Sequence, residues 1–372
     1  MDVKPEDFRL NDFVHQQKYQ EIVKEFLSEK TKSDKPSITI LGGQPGSGKT
    51  KMRELAEKER PSVIINADDL RVFHPEYKNL KLSDPQNAST LVNIDVSIWT
   101  RKLIEQSVKD KRNIIFDFTF GTSNKEMLRD TLKMFRENGY KTQLHILAVP
   151  EQFSKLGIYL RNESQIQQSG AGRFVPIEEH GVHYRNIPEN IKMAVEESLI
   201  DQVSIFSRSI EFVDGEFVNN KVNKVRTFNK TDADFSKTAD IFLQLRNKPL
   251  NEMLQKYFSF RYYQVASMIN HRLKIALKTK DAAKIENIAA YKKQFFSDLK
   301  FRHPYFDAAE NFLINKTEIT IEGIVDLKKQ EASVDINSLD STSKSLFLML
   351  QKQTDKEIAY WKNNNIDIVP YE

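Results

Sequence analysis

Four short apolar runs punctuate the first 150 residues: SITIL (Ser37 to Leu41), SVIIN (Ser62 to Asn66), NIIFDF (Asn113 to Phe118) and QLHILAV (Gln143 to Val149). Their length and β-branched content predict buried strands, and the stretches between them carry helical spacing. Strands joined through helices need crossover connections, which give a parallel sheet with helices on both faces. Ahead of the first run, Tyr19, Ile22, Val23, Phe26 and Leu27 recur at helical spacing and predict an amphipathic helix. Residues 210–228 read as a hairpin turning at Asp214-Gly215, which closes the α/β part. From about Asp232 the pattern is almost wholly helical. The expected organisation is an N-terminal helical segment over 1–35, an α/β domain over 36–230 and a mainly helical domain over 231–372.

Composition narrows the class. Hydrophobic residues are 39% and charged residues 29% of 372, and no apolar run approaches the roughly 20 residues that span a bilayer. Cysteine is absent from the sequence, which excludes disulfides and thiolate metal sites. The opening residues carry early acids and no apolar core of a secretory signal, so a cytoplasmic location is expected. A net charge of +4 favours neither nucleic acid nor an acidic surface.

The chemistry is most explicit in LGGQPGSGKT. Gly43, Gln44, Pro45, Gly46, Ser47, Gly48, Lys49 and Thr50 satisfy G-x-x-x-x-G-K-[ST], between a predicted strand and a predicted helix. The glycines let the backbone curl its N–H groups inward, and the helix beginning near Lys49 adds its positive end. Such a P-loop cradles the phosphates of ATP; Lys49 reaches the β and γ oxygens, and the Thr50 hydroxyl is a ligand for Mg²⁺. The fold class is therefore a P-loop kinase-like parallel sheet with a helical C-terminal appendage.

The second strand ends in NADDLRVFHPEY, which puts Asp68 and Asp69 at the carboxyl end of a parallel strand, where open α/β sheets bind ligands. Asp68 is the candidate general base for an acceptor hydroxyl. The plainer role for either aspartate is to cap the next helix. Asp117 closes a Walker-B-like strand and is placed to hold Mg²⁺ through water or to bind the acceptor; its plainer role is local backbone capping. Thr119 is a weaker site candidate, and Thr122 or Ser123 suits a helix cap. Arg161 and Arg173 flank NESQIQQSGAG, a polar segment suited to a lid that brings two cations to a transferring phosphoryl group.

Taken together, LGGQPGSGKT, NADDLRVFHPEY, NIIFDFT, AVPEQFSKLGIYLRNESQ, GRFVP and HGVHYRNIP resemble the zeta toxin family of P-loop small-molecule kinases, over about Ser37 to Val213. The resemblance implies ATP- and Mg²⁺-dependent phosphorylation of the 3′-hydroxyl of the sugar in UDP-N-acetylglucosamine. It implies that Lys49 and Thr50 hold nucleotide phosphates and metal, and that Asp68 is the base. Asp117 and Thr119 then line the acceptor side, and Arg161 and Arg173 contact the transferring phosphates. Two departures fall on the acceptor side. The third strand leads into Asp117-Phe118-Thr119-Phe120-Gly121 where the toxins have a Glu-Gly-Thr-Gly-Arg type sequence, and Arg101 stands where they offer an acid. Other acceptors, a dinucleotide or a nucleic-acid 5′-hydroxyl, and a nucleotide-dependent switch are the competing readings.

The helical region lies outside the resemblance. His271 to Arg302 holds nine Lys or Arg against three acids, interleaved with Tyr291, Phe295, Phe296 and Phe301. A solvated basic face over a buried aromatic one is the favoured reading, ahead of a nucleic-acid surface. The family's helical antitoxins make an inhibitor, fused in cis or bound in trans, a further expectation.

Overall fold

The computed structural model describes residues 3–84, 87–213, 216–299, 305, 308, 309, 312, 313, 321–339 and 341–363. In chain order the α/β part contains α1 (Asp12–Phe26), β1 (Ser37–Gly42), α2 (Lys49–Glu59), β2 (Val63–Ile65), α3 (Ala67–Leu70), α4 (Tyr77–Ser83), α5 (Ala88–Leu91) and α6 (Asn93–Lys109). It continues through β3 (Ile114–Asp117), α7 (Lys125–Glu137), β4 (Lys141–Leu147), α8 (Glu151–Ser169), α9 (Ile177–Glu196), β5 (Gln202–Val213), β6 (Glu216–Asn229) and α10 (Thr238–Arg246). The sheet order is β2-β3-β1-β4-β5-β6. Strands β2 to β5 pair in parallel with their neighbours, including Ile40 opposite Phe116 and Leu144. Strand β6 is antiparallel, since cross-strand side-chain bonds join Gln202 to Asn229 and Ser204 to Thr227.

The four predicted strands are present, each within two residues of its apolar run. The hairpin differs: β5 begins at Gln202, eight residues before the expected start, and serves as a parallel strand of the main sheet. Val203 to Phe206 are all buried, but Ser204 and Ser207 interrupt the apolar residues, so the sequence lacks the continuous apolar run that marks the interior strands. The expected turn at Asp214-Gly215 lies outside the described residues.

The core forms because β1 is buried along its whole length and the flanking helices each present one apolar face. Ile38, Ile40, Leu144 and Ile146 meet Trp99 and Leu103 of α6, Leu132 and Phe135 of α7 and Ile187 and Ile191 of α9 in one cluster, which also takes in Tyr19 and Ile22 of α1. Asn11 caps α1 through a bond from the Val14 amide (3.0 Å). Trp99 donates its indole N–H to the His15 carbonyl (3.2 Å), which ties α1 to α6.

Met1–Ser209 and Asn220–Arg246 form one compact unit, and Ile210–Asn219 with Asn247–Glu372 form a second. In the second unit α11 (Glu252–Thr279) and α12 (Ala282–Asp298) are joined by Lys280 in the left-handed region and capped by Asp281. They meet through Tyr262 and Phe295, whose rings lie 5.1 Å apart. Helices α13 (Ile321–Ala332) and α14 (Ser341–Asn363) follow, and the Tyr305 and Phe347 rings meet at a tilt, 5.0 Å apart. Ile288 and Phe295 on α12 are buried while its lysines stay in water, so an aromatic face is covered and a basic face is solvated. Among the described residues no helix is long and apolar enough to cross a membrane.

Candidate active site

The P-loop runs from the end of β1 to the first turn of α2. Its entry is fixed by the Gly43 amide, which donates to the Thr119 carbonyl (3.0 Å) beyond β3. Gln44 is fully buried and donates its side-chain amide to the Val149 carbonyl (2.8 Å) and the Ser154 hydroxyl (3.1 Å). Gly46 has a positive φ of 76°, and a Cβ there would run into the Ser154 carbonyl. Gly157, one turn further along α8, is just as close to the Gly46 carbonyl. Loop and helix thus touch backbone to backbone, which only glycines permit. Lys49 donates to the Gly43 carbonyl (2.9 Å) and Thr50 is exposed on the same turn. Burial lowers the Lys49 pKa from its ordinary value, against the pull of Asp117 and Asp68 and with the push of Arg161 and Arg173. The Lys49 ammonium therefore lies within electrostatic reach of Asp68, Asp117, Arg161 and Arg173.

At the end of β2 the helix cap is Asn66, not either aspartate. Its side-chain oxygen accepts from the Asp68 amide (2.7 Å), while its amide group donates to Asp117 (2.9 Å). One residue thereby positions the ends of β2 and β3 together. The two aspartates diverge: Asp69 pairs with Arg53 of α2 (3.1 Å), and burial raises its pKa. Asp68 turns into the site, where Arg71 holds one carboxylate oxygen and Arg173 the other. Desolvation would raise the Asp68 pKa, but Arg173 and Arg71 outweigh it and hold the carboxyl below its ordinary range. Beyond β3, the helix cap of α7 is Asn124, which accepts from the Met127 amide, and Thr122 instead accepts from Asn124.

Arg161 sits within α8, which stays helical through Ser169, so the segment between the two arginines is largely helix and Arg173 stands on the short loop after it. Its Nε and Nη2 are buried without a hydrogen-bond partner, and burial together with Arg173 lowers its pKa. Arg101, by contrast, is 71% exposed on α6 and faces Glu105 (3.8 Å).

Helix α9 closes the far side. Thr119 Oγ1 lies 3.1 Å from His183 Nδ1, which is also 3.0 Å from the Gly121 carbonyl, and Glu179 faces His183 Nε2 at 3.8 Å. Asn190 donates to the carbonyls of Phe120 and Thr122 (3.0 Å each). Phe120 occupies the left-handed region at φ 57° with its ring fully buried. That conformation costs about 1–2 kcal/mol, and burial of the ring, about 1.5–3 kcal/mol, offsets it.

The structure thus gathers Lys49, Asp68, Asp117, Arg161 and Arg173, with Thr119 at the margin. Asn66, Arg71, Glu179 and His183 join them without having been singled out from the sequence. Arg71 had a signal, standing three residues after Asp68 and so on the same helical face. Glu179 and His183 had none, because only the fold brings α9 to the end of β3.

The residues present fit a polyphosphate. Ser47 Oγ and two Arg161 nitrogens are buried donors without partners, and they accompany a glycine loop whose curvature leaves no room for side chains. They also fit Mg²⁺, which is held through one or two protein oxygens plus phosphates; Thr50 and Asp117 supply a hydroxyl and a carboxylate. Among the described residues there is no cluster of three or more His, Asp or Glu that would hold a metal by itself.

The family model for zeta toxin matches residues 23–231. The toxin zeta of Streptococcus pyogenes is 25% identical over 189 residues, which cover 50% of this chain and 65% of that protein. The toxin PezT of Streptococcus pneumoniae is 24% identical over 234 residues, 61% of this chain and 90% of that one. A solved structure of the PezAT chromosomal toxin–antitoxin system of Streptococcus pneumoniae aligns with a TM-score of 0.56 at 20% identity, covering 69% of this chain and 98% of that chain. The chain thus spans just under two-thirds of the length of the first relative and most of the second. With a family match over more than half its residues and the same sheet under its P-loop, the chain belongs to the zeta toxin family.

Proposed function

We propose that the protein is a kinase that transfers the γ-phosphate of ATP, with Mg²⁺, to a hydroxyl of a nucleotide sugar, UDP-N-acetylglucosamine. The observation that carries this reading is the convergence beside the P-loop: Lys49, Arg161 and Arg173 supply three cations around the Asp68 and Asp117 carboxylates, with Arg173 paired to Asp68. Residues 36–230, together with α1 and α10, which pack on the same core, are the proposed catalytic unit.

In this reading the loop amides, Ser47 and Lys49 bind the phosphates, and Arg161 offers its two unpartnered nitrogens to the group in transit. Thr50 and Asp117 would hold Mg²⁺, which when bound neutralises charge between the phosphates. Asp68 accepts the proton of the attacking hydroxyl, and for that it must give up one of its two guanidinium partners. Arg173 is the one that can leave, because it stands on a loop with 27% of its side chain exposed, against 8% for Arg71. Arg71 then keeps the carboxylate aimed. A base with a depressed pKa suffices, because a loose phosphoryl-transfer transition state asks little of the base beyond orientation. The relative PezT belongs to a toxin–antitoxin system, which supports an antitoxin-like helical partner for this chain, in cis or in trans.

The test is transfer of label from γ-labelled ATP to UDP-N-acetylglucosamine, beside a no-acceptor control and a pooled metabolite extract. Asp68→Asn is expected to lower transfer by about 10³-fold or more with ATP affinity nearly unchanged, and Lys49→Ala to weaken both. Full activity in Asp68→Asn removes the base assignment. Label that appears only with the extract moves the acceptor elsewhere and keeps the kinase.

A further inference from the structure

The acceptor is chosen by the groups that surround Asp68 and Asp117 away from the P-loop. Thr119 has three attachments at that place. Its carbonyl accepts the Gly43 amide, which locks the strand end to the loop, and its hydroxyl oxygen accepts a long bond from the Gly121 amide (3.5 Å) and lies 3.1 Å from His183 Nδ1 on α9. The same nitrogen is 3.0 Å from the Gly121 carbonyl, which can only accept. Two lone pairs at that distance repel, so Nδ1 carries a hydrogen. Thr119 Oγ1 then accepts from the imidazole and keeps its own hydrogen to give. On the other nitrogen stands Glu179, whose carboxyl is held below its ordinary range by His183, with Arg173 and Arg71 adding to the effect.

We propose that His183 is a positioning residue for the acceptor, fixing the Thr119 hydroxyl as a hydrogen-bond donor into the acceptor side of the site. The acceptor molecule accordingly presents an oxygen without a hydrogen there, a carbonyl, ring or phosphoryl oxygen, beside the hydroxyl that is phosphorylated. This inference rests on the kinase reading. It adds that recognition comes in part from α9, whose register over Gly121 is set by close backbone contact: a Cβ on Gly121 would collide with the His183 backbone.

The amide of asparagine reaches about as far as Nδ1, and that of glutamine about as far as Nε2. The test therefore measures transfer from labelled ATP to UDP-N-acetylglucosamine, or to a dilution series of metabolite extract where only the extract is labelled, for both His183 variants. His183→Gln is expected to raise the acceptor KM about 5- to 10-fold, the worth of one hydrogen bond, with the KM for ATP unchanged. His183→Asn is expected to stay within about 3-fold of the wild type. Thr119→Val should match His183→Gln, Thr119→Ser should stay near the wild type, and the Thr119→Val/His183→Gln double variant should add nothing further. The proposal is overturned if His183→Gln leaves the acceptor KM unmoved, or if Asn and Gln lose activity and melting temperature alike. Should the His183 variants not fold, an unchanged acceptor KM in Thr119→Val overturns it. A wild type that labels neither acceptor overturns the kinase reading and this inference with it.

Discussion

At the scale of single residues, His180 shows how the site's support responds to acid. Its imidazole is fully buried on α9, with Nε2 at 2.8 Å from the Ser154 hydroxyl that also receives Gln44 of the P-loop, and Nδ1 without a partner. Burial, with Lys155 nearby, pushes its pKa down to about 3, and burial pushes His145 on β4 down to about 4. Both histidines bind protons more readily in the unfolded chain, so their contribution is complete above the ordinary value of 6.5 and is lost as pH falls below it. The slope is about 1.4 kcal/mol per pH unit for each group, hence about 2 kcal/mol each at pH 5. Denaturant unfolding at pH 7.5 and pH 5 should show that loss, with His15 and His74, also lowered by burial, adding to it, and His180→Gln should reduce it by about 2 kcal/mol. An unchanged pH dependence in the variant would show that His180 is not the sensing group. Residues of this kind differ in how far the sequence reveals them. Gly43 to Thr50 are legible because their demands are local, a turn and a helix start written in consecutive letters. Asp68 and Asp117 are legible as strand-end acids. Asn66, which joins the two, and His180, which props Gln44, are polar residues whose partners are set only by packing.

Among the elements, the contact of α8 with the P-loop carries the most mechanical consequence. Gly46 and Gly157 meet through backbone atoms, and Arg161 stands one turn beyond Gly157 on the same face. The glycine therefore sets both the seat of the loop and the height of the arginine. Gly157→Ala would gain about 1 kcal/mol in helix propensity but must move a backbone that cannot yield, at a cost of about 1–3 kcal/mol. The expected result is a lower melting temperature together with weaker ATP binding, read by calorimetry and nucleotide titration. Gly181→Ala on α9 is the control, since its Cβ would meet only the far end of the Arg185 side chain (3.2 Å) and should leave the protein as stable or slightly more so. If Gly157→Ala behaves like Gly181→Ala, the contact does not constrain the loop. Interior strands were legible as apolar runs, because burial on both faces removes the need for polar positions. Strand β5 was legible only in its later half, because Ser204, Ser207 and Arg208 break up its apolar residues although Val203 to Phe206 are all buried.

For the molecule as a whole, the question is where the α/β unit closes. Its last element is α10, whose Phe242 is fully buried and whose Ala239 joins the same core as β1 and β4. Arg246 at its end lies over the Tyr184 ring at 3.8 Å and donates to the Tyr184 carbonyl (2.6 Å), so α10 is fastened to α9, the helix that carries Glu179 and His183. Composition could not show this, because α10 reads as the first of a run of helices, and membership in one unit or another depends on which core its apolar face meets. A chain ending at Arg246 retains that face, whereas one ending at Phe228 uncovers the side of α9 on which α10 packs and loses Phe235 and Phe242 from the core altogether. Removing one buried phenylalanine costs about 3–5 kcal/mol, and two approach the whole stability of an ordinary domain. The shorter chain should therefore lack a cooperative thermal transition and bind a hydrophobic dye, while the longer one should melt cooperatively. Labelled transfer by the longer chain, compared with the full chain, then reports on the helical unit. A higher rate marks that unit as an inhibitor in cis, and an equal rate leaves any inhibitor to a separate partner. If the chain ending at Phe228 melts as sharply as the one ending at Arg246, α10 is not part of the catalytic core.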